Sequence, residues 1–184
     1  NNLCSYDDAV YLELGTLMGS TFFAATMGND IDNFGVDNYS EPECKPMTKN
    51  LHWNEVGNAF EEFKRYFDKY ENGKSTFIKS DILSLKEEDF DGKKPNVVFY
   101  DASHDYVQQL NNLNHIAPLL ADKFILIIDD ANFDGVIESA IQFVKDNNYD
   151  LYFERKILSK IIENPTHWWN GLFVMVLEKP NEGN

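Results

Sequence analysis

The sequence is poor in thiols and poorer still in guanidinium groups. Its 184 residues include two cysteines, Cys4 and Cys44, and two arginines, Arg65 and Arg155. The cysteines fall in loop or terminal segments and lack the spacing of a metal site, which predicts free thiols in a reducing cytoplasm. Basic side chains number 16 against 31 acidic ones, a net charge of −15. Such a surface repels phosphate backbones and offers few bidentate phosphate clamps, so a nucleic-acid substrate is not expected. A neutral or cationic small ligand suits it better, and solubility accounts for most of the charge. No apolar run reaches the roughly 18 residues of a membrane span. No basic-then-apolar start reads as a signal peptide. These absences predict a cytoplasmic protein with no membrane partner. No repeat, low-complexity tract or linker divides the chain, so residues 1–184 read as a single α/β domain. The missing initiator methionine predicts that residues precede Asn1. A hydrophobic share of 43% excludes a disordered chain.

What is present starts with the stretch Ala9–Asn29. The apolar run Ala9-Val10-Tyr11-Leu12 predicts a buried strand ending at Glu13. A glycine loop, Gly15-Thr16-Leu17-Met18-Gly19-Ser20, follows, and Thr21–Met27 predicts a helix. Strand, glycine turn and helix form the first half of a nucleotide-binding βαβ unit. Gly15 suits a positive φ in the tight turn, and Gly19 allows a close approach at the helix start. Asp37 closes a second strand, Phe34–Asp37, 22 positions beyond Gly15, where such a unit places a carboxylate on ribose hydroxyls. The loop Tyr39–Asn50 is long enough to be a candidate lid.

Helices are predicted over Leu51–Tyr70, with Val56, Phe60, Phe63, Phe67 and Tyr70 on one face, and over Tyr106–Leu120, Ser84–Phe90 and Gly135–Asn148. Ser84 with Glu87 reads as a capping box. Strands are predicted at Ser75–Asp81, Asn96–Asp101, Phe124–Ile128, Tyr149–Arg155 and Gly171–Glu178. Phe124–Ile128 is the most apolar run and reads as a central parallel strand buried on both faces. The last two strands lack a crossover helix between them, which predicts antiparallel pairing. The tail beyond Pro180 is predicted to be disordered.

Five strand ends carry acids: Glu13, Asp37, Asp81, Asp101 and Asp129-Asp130. Parallel strands point their C-terminal ends to one side, where ligands bind, so these carboxylates should line one rim. Each acid also has a bland role as a helix cap. A nicotinamide-dependent oxidoreductase is disfavoured, because Leu17 stands where a dinucleotide site needs a second glycine.

The motifs Glu13–Thr21, Asp101-Ala102-Ser103-His104-Asp105-Tyr106 and Ile128-Asp129-Asp130-Ala131-Asn132-Phe133-Asp134-Gly135-Val136 resemble those of class I S-adenosylmethionine-dependent methyltransferases. The similarity is to the small-molecule O-methyltransferase branch that includes macrocin-type sugar methyltransferases, and it runs from Val10 to Lys179. Ala102 and Ala121-Asp122-Lys123 depart from its usual glycines. The resemblance implies a Rossmann-like, doubly wound, mostly parallel seven-stranded sheet of order 3-2-1-4-5-7-6 with an antiparallel last strand. It implies that S-adenosyl-L-methionine is held by Glu13, Gly15, Thr16, Gly19, Ser20, Asp37, Asn38, Asp81, Ile82 and Asp101. It further implies Mg²⁺ on Asp101, Asp129 and Asp130, provided the strand ends between the two adjacent aspartates. Asp101 and His104 are then the candidate catalytic residues, His104 as base, with a structural histidine as the competing reading. His167-Trp168-Trp169 reads either as an acceptor-side aromatic wall or as core packing. Cys44, Pro46, Met47 and Trp53 are candidates for the opposite wall. A small-molecule acceptor and a homo-oligomer are the partners considered. A catalytically inactive cofactor-binding module is the alternative.

Overall fold

Two strands that lack polar alternation on either face lie at the centre of the sheet. They are β1 (Val10–Leu14) and β4 (Val97–Tyr100), paired in parallel in the computed structural model. The structure describes residues 1–40, 59–159 and 168–180. Strands β2 (Asp32–Val36) and β3 (Ser75–Ile78) continue the parallel sheet on one side, and β5 (Lys123–Asp129) on the other. β6 (Asp150–Ile157) and β7 (Leu172–Glu178) form an antiparallel pair, and β7 runs antiparallel to β5. The order is β3-β2-β1-β4-β5-β7-β6, as expected.

Successive side chains of a strand face opposite ways, so each central strand feeds two cores. Leu12, Leu14, Val98 and Tyr100 join one, with Leu113 and Ile116 of α3 (Tyr106–Ile116) and Phe143 of α4 (Val136–Asp146). Tyr11, Val97 and Phe99 join the other, with Phe22 and Phe23 of α1 (Ser20–Thr26) and Phe63 of α2 (Ala59–Tyr70). The second core is aromatic: Phe63 is fully buried and packs on Phe22, Phe23, Phe67 and Phe77. The apolar face predicted for α2 is therefore real over its described part; Val56 and the rest of 51–58 lie outside the described residues.

Several boundaries differ from expectation for local reasons. β1 runs on through Glu13 to Leu14, so Glu13 is inside the strand and 0% exposed, not at the rim. α3 stops at Ile116, and Ala117–Leu119 is a 3-10 turn holding Pro118, which has no N–H to continue the helix. The helix expected at Ser84–Phe90 is two 3-10 turns, Ile82–Ser84 and Glu87–Phe90. Asp81, not Ser84, caps the first by accepting the Leu83 N–H at 2.9 Å. In β5, Phe124, Leu126 and Ile128 are buried, whereas Ile125 and Ile127 on the other face are only half-buried. The strand is thus covered fully on one side alone. Among the described residues no helix is long and apolar enough to cross a membrane. Residues 41–50 of the predicted lid, Cys44, Pro46, Met47, Trp53, Pro165, His167 and the tail beyond Pro180 lie outside the described residues.

Candidate active site

The glycine loop is held shut by its own hydrogen bonds. Gly15 has φ +92° and donates its N–H to the Val36 carbonyl at 2.8 Å. A Cβ on Gly15 would lie 1.9 Å from the Asp101 carbonyl oxygen, so only glycine lets the loop rest on the end of β4. Leu17 takes φ +46° and donates its N–H to Asp37 Oδ2 at 2.9 Å, while Gly19 donates to the Thr16 carbonyl at 2.6 Å. Asp37 Oδ1 accepts the Tyr39 N–H at 2.7 Å. The Tyr39 hydroxyl returns to the loop, donating to the Leu17 carbonyl at 2.9 Å and lying 3.2 Å from buried Thr16 Oγ1. Asp37 thus ties the first strand's loop to the end of the second and keeps further lone pairs for a ligand hydroxyl.

The N–H groups of Gly15, Leu17 and Gly19 are committed within the protein. A pyrophosphate bound on a glycine loop relies on such groups. The loop therefore suits a ligand without phosphate. Gly19 makes its close approach to aromatic rings: a Cβ there would meet Phe23 at 2.5 Å and Phe63 at 2.8 Å. Its role is packing α1 on α2. Ser20 is exposed at the start of α1.

Glu13 sits beneath this loop. Its carboxylate accepts from the Tyr11 hydroxyl at 2.5 Å and from Thr21 Oγ1 at 2.7 Å, joining β1 to the first turn of α1. Burial is the main cause that pushes its pKa up to about 8. It supports the loop from below, out of contact with solvent. Asp81 and Asn38 meet further along the rim, Asn38 Nδ2 donating to Asp81 Oδ2 at 3.1 Å, with half-buried Ile82 beside them.

The other half of the rim is acidic. Asp101 follows β4, and burial, then the charges of Asp129 and Asp130, push its pKa up to about 7. β5 ends at Asp129, and Asp130 takes φ +57°, so strand alternation does not send the two carboxylates to opposite faces. Asp130 Oδ2 lies 2.5 Å from His104 Nε2, and this bond holds the imidazole pKa above its usual value. Donor atoms of Asp101, His104 and Asp130 lie within 4.8 Å of one another. Asp129 stays close enough for its charge to act on Asp101, while its Oδ1 accepts the Trp168 indole N–H at 2.7 Å and the Asp130 N–H at 2.8 Å. The structure groups Asp101 and Asp130 with His104; the resemblance implied Asp101, Asp129 and Asp130 as the metal ligands. Trp168 also sets its ring edge-on to Phe99 at 6.4 Å, so it belongs to the rim as well as to the packing. Trp169 is exposed.

Four contributors were not expected from the sequence. Tyr39 latches the loop, Tyr11 and Thr21 hold Glu13, and Phe133 stacks on the His104 ring at 5.2 Å. Tyr11 alone had a signal, since it precedes Glu13 by two and shares its face of β1.

The seven-stranded Rossmann-like sheet with its antiparallel seventh strand thus carries a glycine loop and an acidic rim at the C-terminal ends of its parallel strands. The chain belongs to the family of methyltransferase domains, matching it over residues 12–131, and is a methyltransferase. No curated protein sequence matches it. Among solved structures it is similar to magnesium protoporphyrin IX methyltransferase from Synechocystis with bound SAM (TM-score 0.60, 11% identity, 94% of this chain and 70% of that one). It is similar to the N-methyltransferase NodS of Bradyrhizobium japonicum in complex with S-adenosyl-L-homocysteine (TM-score 0.60, 11% identity, 94% and 78%). It also resembles precorrin-6y C5,15-methyltransferase of Geobacter metallireducens (TM-score 0.61, 13% identity, 94% and 81%).

Proposed function

We infer that the protein transfers a methyl group from S-adenosyl-L-methionine to a hydroxyl of a small molecule, a sugar, polyol or phenol, with a divalent cation assisting. The observation that carries this reading is the cluster of Asp101, His104 and Asp130 beside the glycine loop, with Gly15 in direct contact with Asp101. Similar solved structures hold S-adenosylmethionine or its product, which supports the cofactor. The loop fits it: Gly15 gives room at the methionine end, and Asp37 keeps lone pairs for ribose hydroxyls. Asn38 and Asp81 with Ile82 line the adenine side. A net charge of −15 favours a small acceptor over a nucleic acid.

Two carboxylates with waters and substrate oxygens form a donor set suited to Mg²⁺. Asp101 and Asp130 supply them. When bound, the cofactor supplies an electrophilic methyl group and the cation supplies charge that favours the ionised hydroxyl. The chain's own work is positional. The rim would position the acceptor hydroxyl beside the methyl group. His104 would take the proton of the acceptor hydroxyl as that oxygen gains the methyl group. The 2.5 Å contact between His104 and Asp130 favours a second reading, in which Asp130 orients His104 as a metal-free base.

Turnover of labelled S-adenosylmethionine over a panel of polyols, sugars and phenols, with and without EDTA, tests both. Methylation that EDTA abolishes supports the cation, and EDTA-insensitive methylation supports the dyad. Absence of cofactor binding by calorimetry would refute the reading altogether. Asp130→Asn is expected to weaken Mg²⁺ binding by at least about tenfold in a direct titration while leaving cofactor affinity nearly unchanged. Asp37→Ala is expected to weaken cofactor binding by about 1–3 kcal/mol, with Mg²⁺ affinity unchanged.

A further inference from the structure

The outer edge of the sheet carries an unused surface. All eight residues of β6, Asp150–Ile157, are exposed, and among the described residues only one side of the strand is paired, to β7. Leu151, Tyr152, Phe153 and Ile157 are among the exposed large hydrophobic residues of the chain, with Tyr152 61% and Phe153 48% exposed. An eight-residue edge that alternates large apolar side chains with charged ones, one side of its backbone unpaired among the described residues, is a template for another strand of matching charge.

The strand is also complementary to itself. Register with β7 is regular from Phe153 to Ile157, and Tyr152 is the extra residue of a bulge between Leu151 and Phe153. Its ring stays with its own sheet, beneath Lys123 Nζ at 4.3 Å. With that extra residue discounted, Asp150, Phe153 and Arg155 lie opposite Glu178, Val176 and Val174, on the same face as Ile125 and Ile127. That is the face of β5 left half-covered. Suppose a second β6 runs antiparallel about a two-fold axis at Phe153. Then Phe153 meets its own copy, Glu154 faces Leu151, and Arg155 faces Asp150 twice over. The Arg155 side chain has no ion pair or hydrogen bond among the described residues, and Asp150 sits beside the like-charged Glu178. Shifting the centre by one position to Glu154 or by two to Arg155 would set like charges against each other.

We propose that this chain forms a symmetric dimer by antiparallel pairing of two β6 strands, centred on Phe153 and fixed in register by reciprocal Arg155–Asp150 pairs. The interface is isologous, so one strand supplies both halves of every contact. Charges on an edge usually prevent pairing; here, in the Phe153-centred register, they pair with opposite charges.

Sedimentation velocity of the full chain over a micromolar concentration series tests the state. A dimer is expected, and a monomer throughout would overturn the proposal. Arg155→Asp should raise the dissociation constant by about tenfold or more, since two like-charge contacts replace two favourable ones. The swap Asp150→Arg with Arg155→Asp should restore parental dimerisation. A dimer indifferent to Arg155→Asp, or a swap that fails to restore it, overturns the register. Circular dichroism of each variant separates loss of pairing from loss of folding. Residues directly opposed across antiparallel strands have Cα atoms roughly 4.5–5.5 Å apart, within disulfide reach. Phe153→Cys should therefore form a covalent dimer on mild oxidation that the parent, with Cys4 and Cys44, does not. Failure to cross-link in a variant that still dimerises places the axis elsewhere and overturns it.

Discussion

A Gly15→Ala variant should lose its hold on S-adenosylmethionine and melt on the order of 10 °C below the parent. Two separate costs combine. A side chain at φ +92° pays about 1–2 kcal/mol for left-handed backbone. The new Cβ must also clear the Asp101 carbonyl, 1.9 Å from its ideal position, and that atom is main chain between β4 and the rim. Relief therefore moves the loop, or Asp101, or both. Gly73→Ala separates the two costs, because Gly73 has φ +77° and a methyl group added there would meet nothing within 4 Å. It should show the backbone cost alone and bind cofactor normally. Thermal unfolding and calorimetric titration of the two variants decide the matter. Equal stability and equal affinity would show that the contact with Asp101 is unimportant.

The second large effect is a dependence of stability on pH. Glu13 ionises at about 8 in the folded protein, chiefly because it is buried, against about 4.5 when exposed. Between those values the folded state keeps a proton that the unfolded state has released. Stability therefore falls as pH rises through this window, by up to about 1.4 kcal/mol per pH unit from this group, and levels off above it. Asp101, pushed to about 7 from 3.8, works in the same direction over a lower range. Glu13→Gln keeps the shape and the neutral charge of the protonated acid. It should match the parent near the acid end of the window and exceed it near pH 8 by a few kcal/mol. Urea unfolding at intervals across the window reads the difference between the two slopes. Parallel slopes would mean that Glu13 stays ionised in its pocket, held by Tyr11 and Thr21.

Much of the sheet was readable because its inner strands are apolar and its turns carry glycine. The order of strands came from motif resemblance; periodicity cannot supply it. The rim was readable as acids at strand ends, Asp37 and Asp101 just after theirs and Asp129 closing its own. Glu13 was misplaced because the apolar run around it looked complete at Leu12, whereas Leu14 prolongs the strand and turns Glu13 inward. Pro118 was a visible stop that the apolar spacing of Leu113, Ile116 and Leu120 overrode. The capping of Ile82–Ser84 went to Asp81 because the strand ended early, at Ile78. The partners of His104 depend on Asp130 leaving the strand with a positive φ, and Asp and Asn adopt that conformation without announcing it. Tyr39 carried no signal at all, since its contact with Leu17 joins residues 22 apart across two strand ends.

That contact bears on how a ligand enters. Asp37 and Tyr39 together fasten Leu17 in a conformation that chain entropy alone would not favour. The ordering of the loop is completed during folding, so an arriving molecule meets a finished surface. Association should then be fast and free of a rearrangement step, showing a single phase in stopped-flow mixing. Tyr39→Phe, which keeps the ring and removes the hydroxyl, should uncouple the loop and add a slower phase to the same trace.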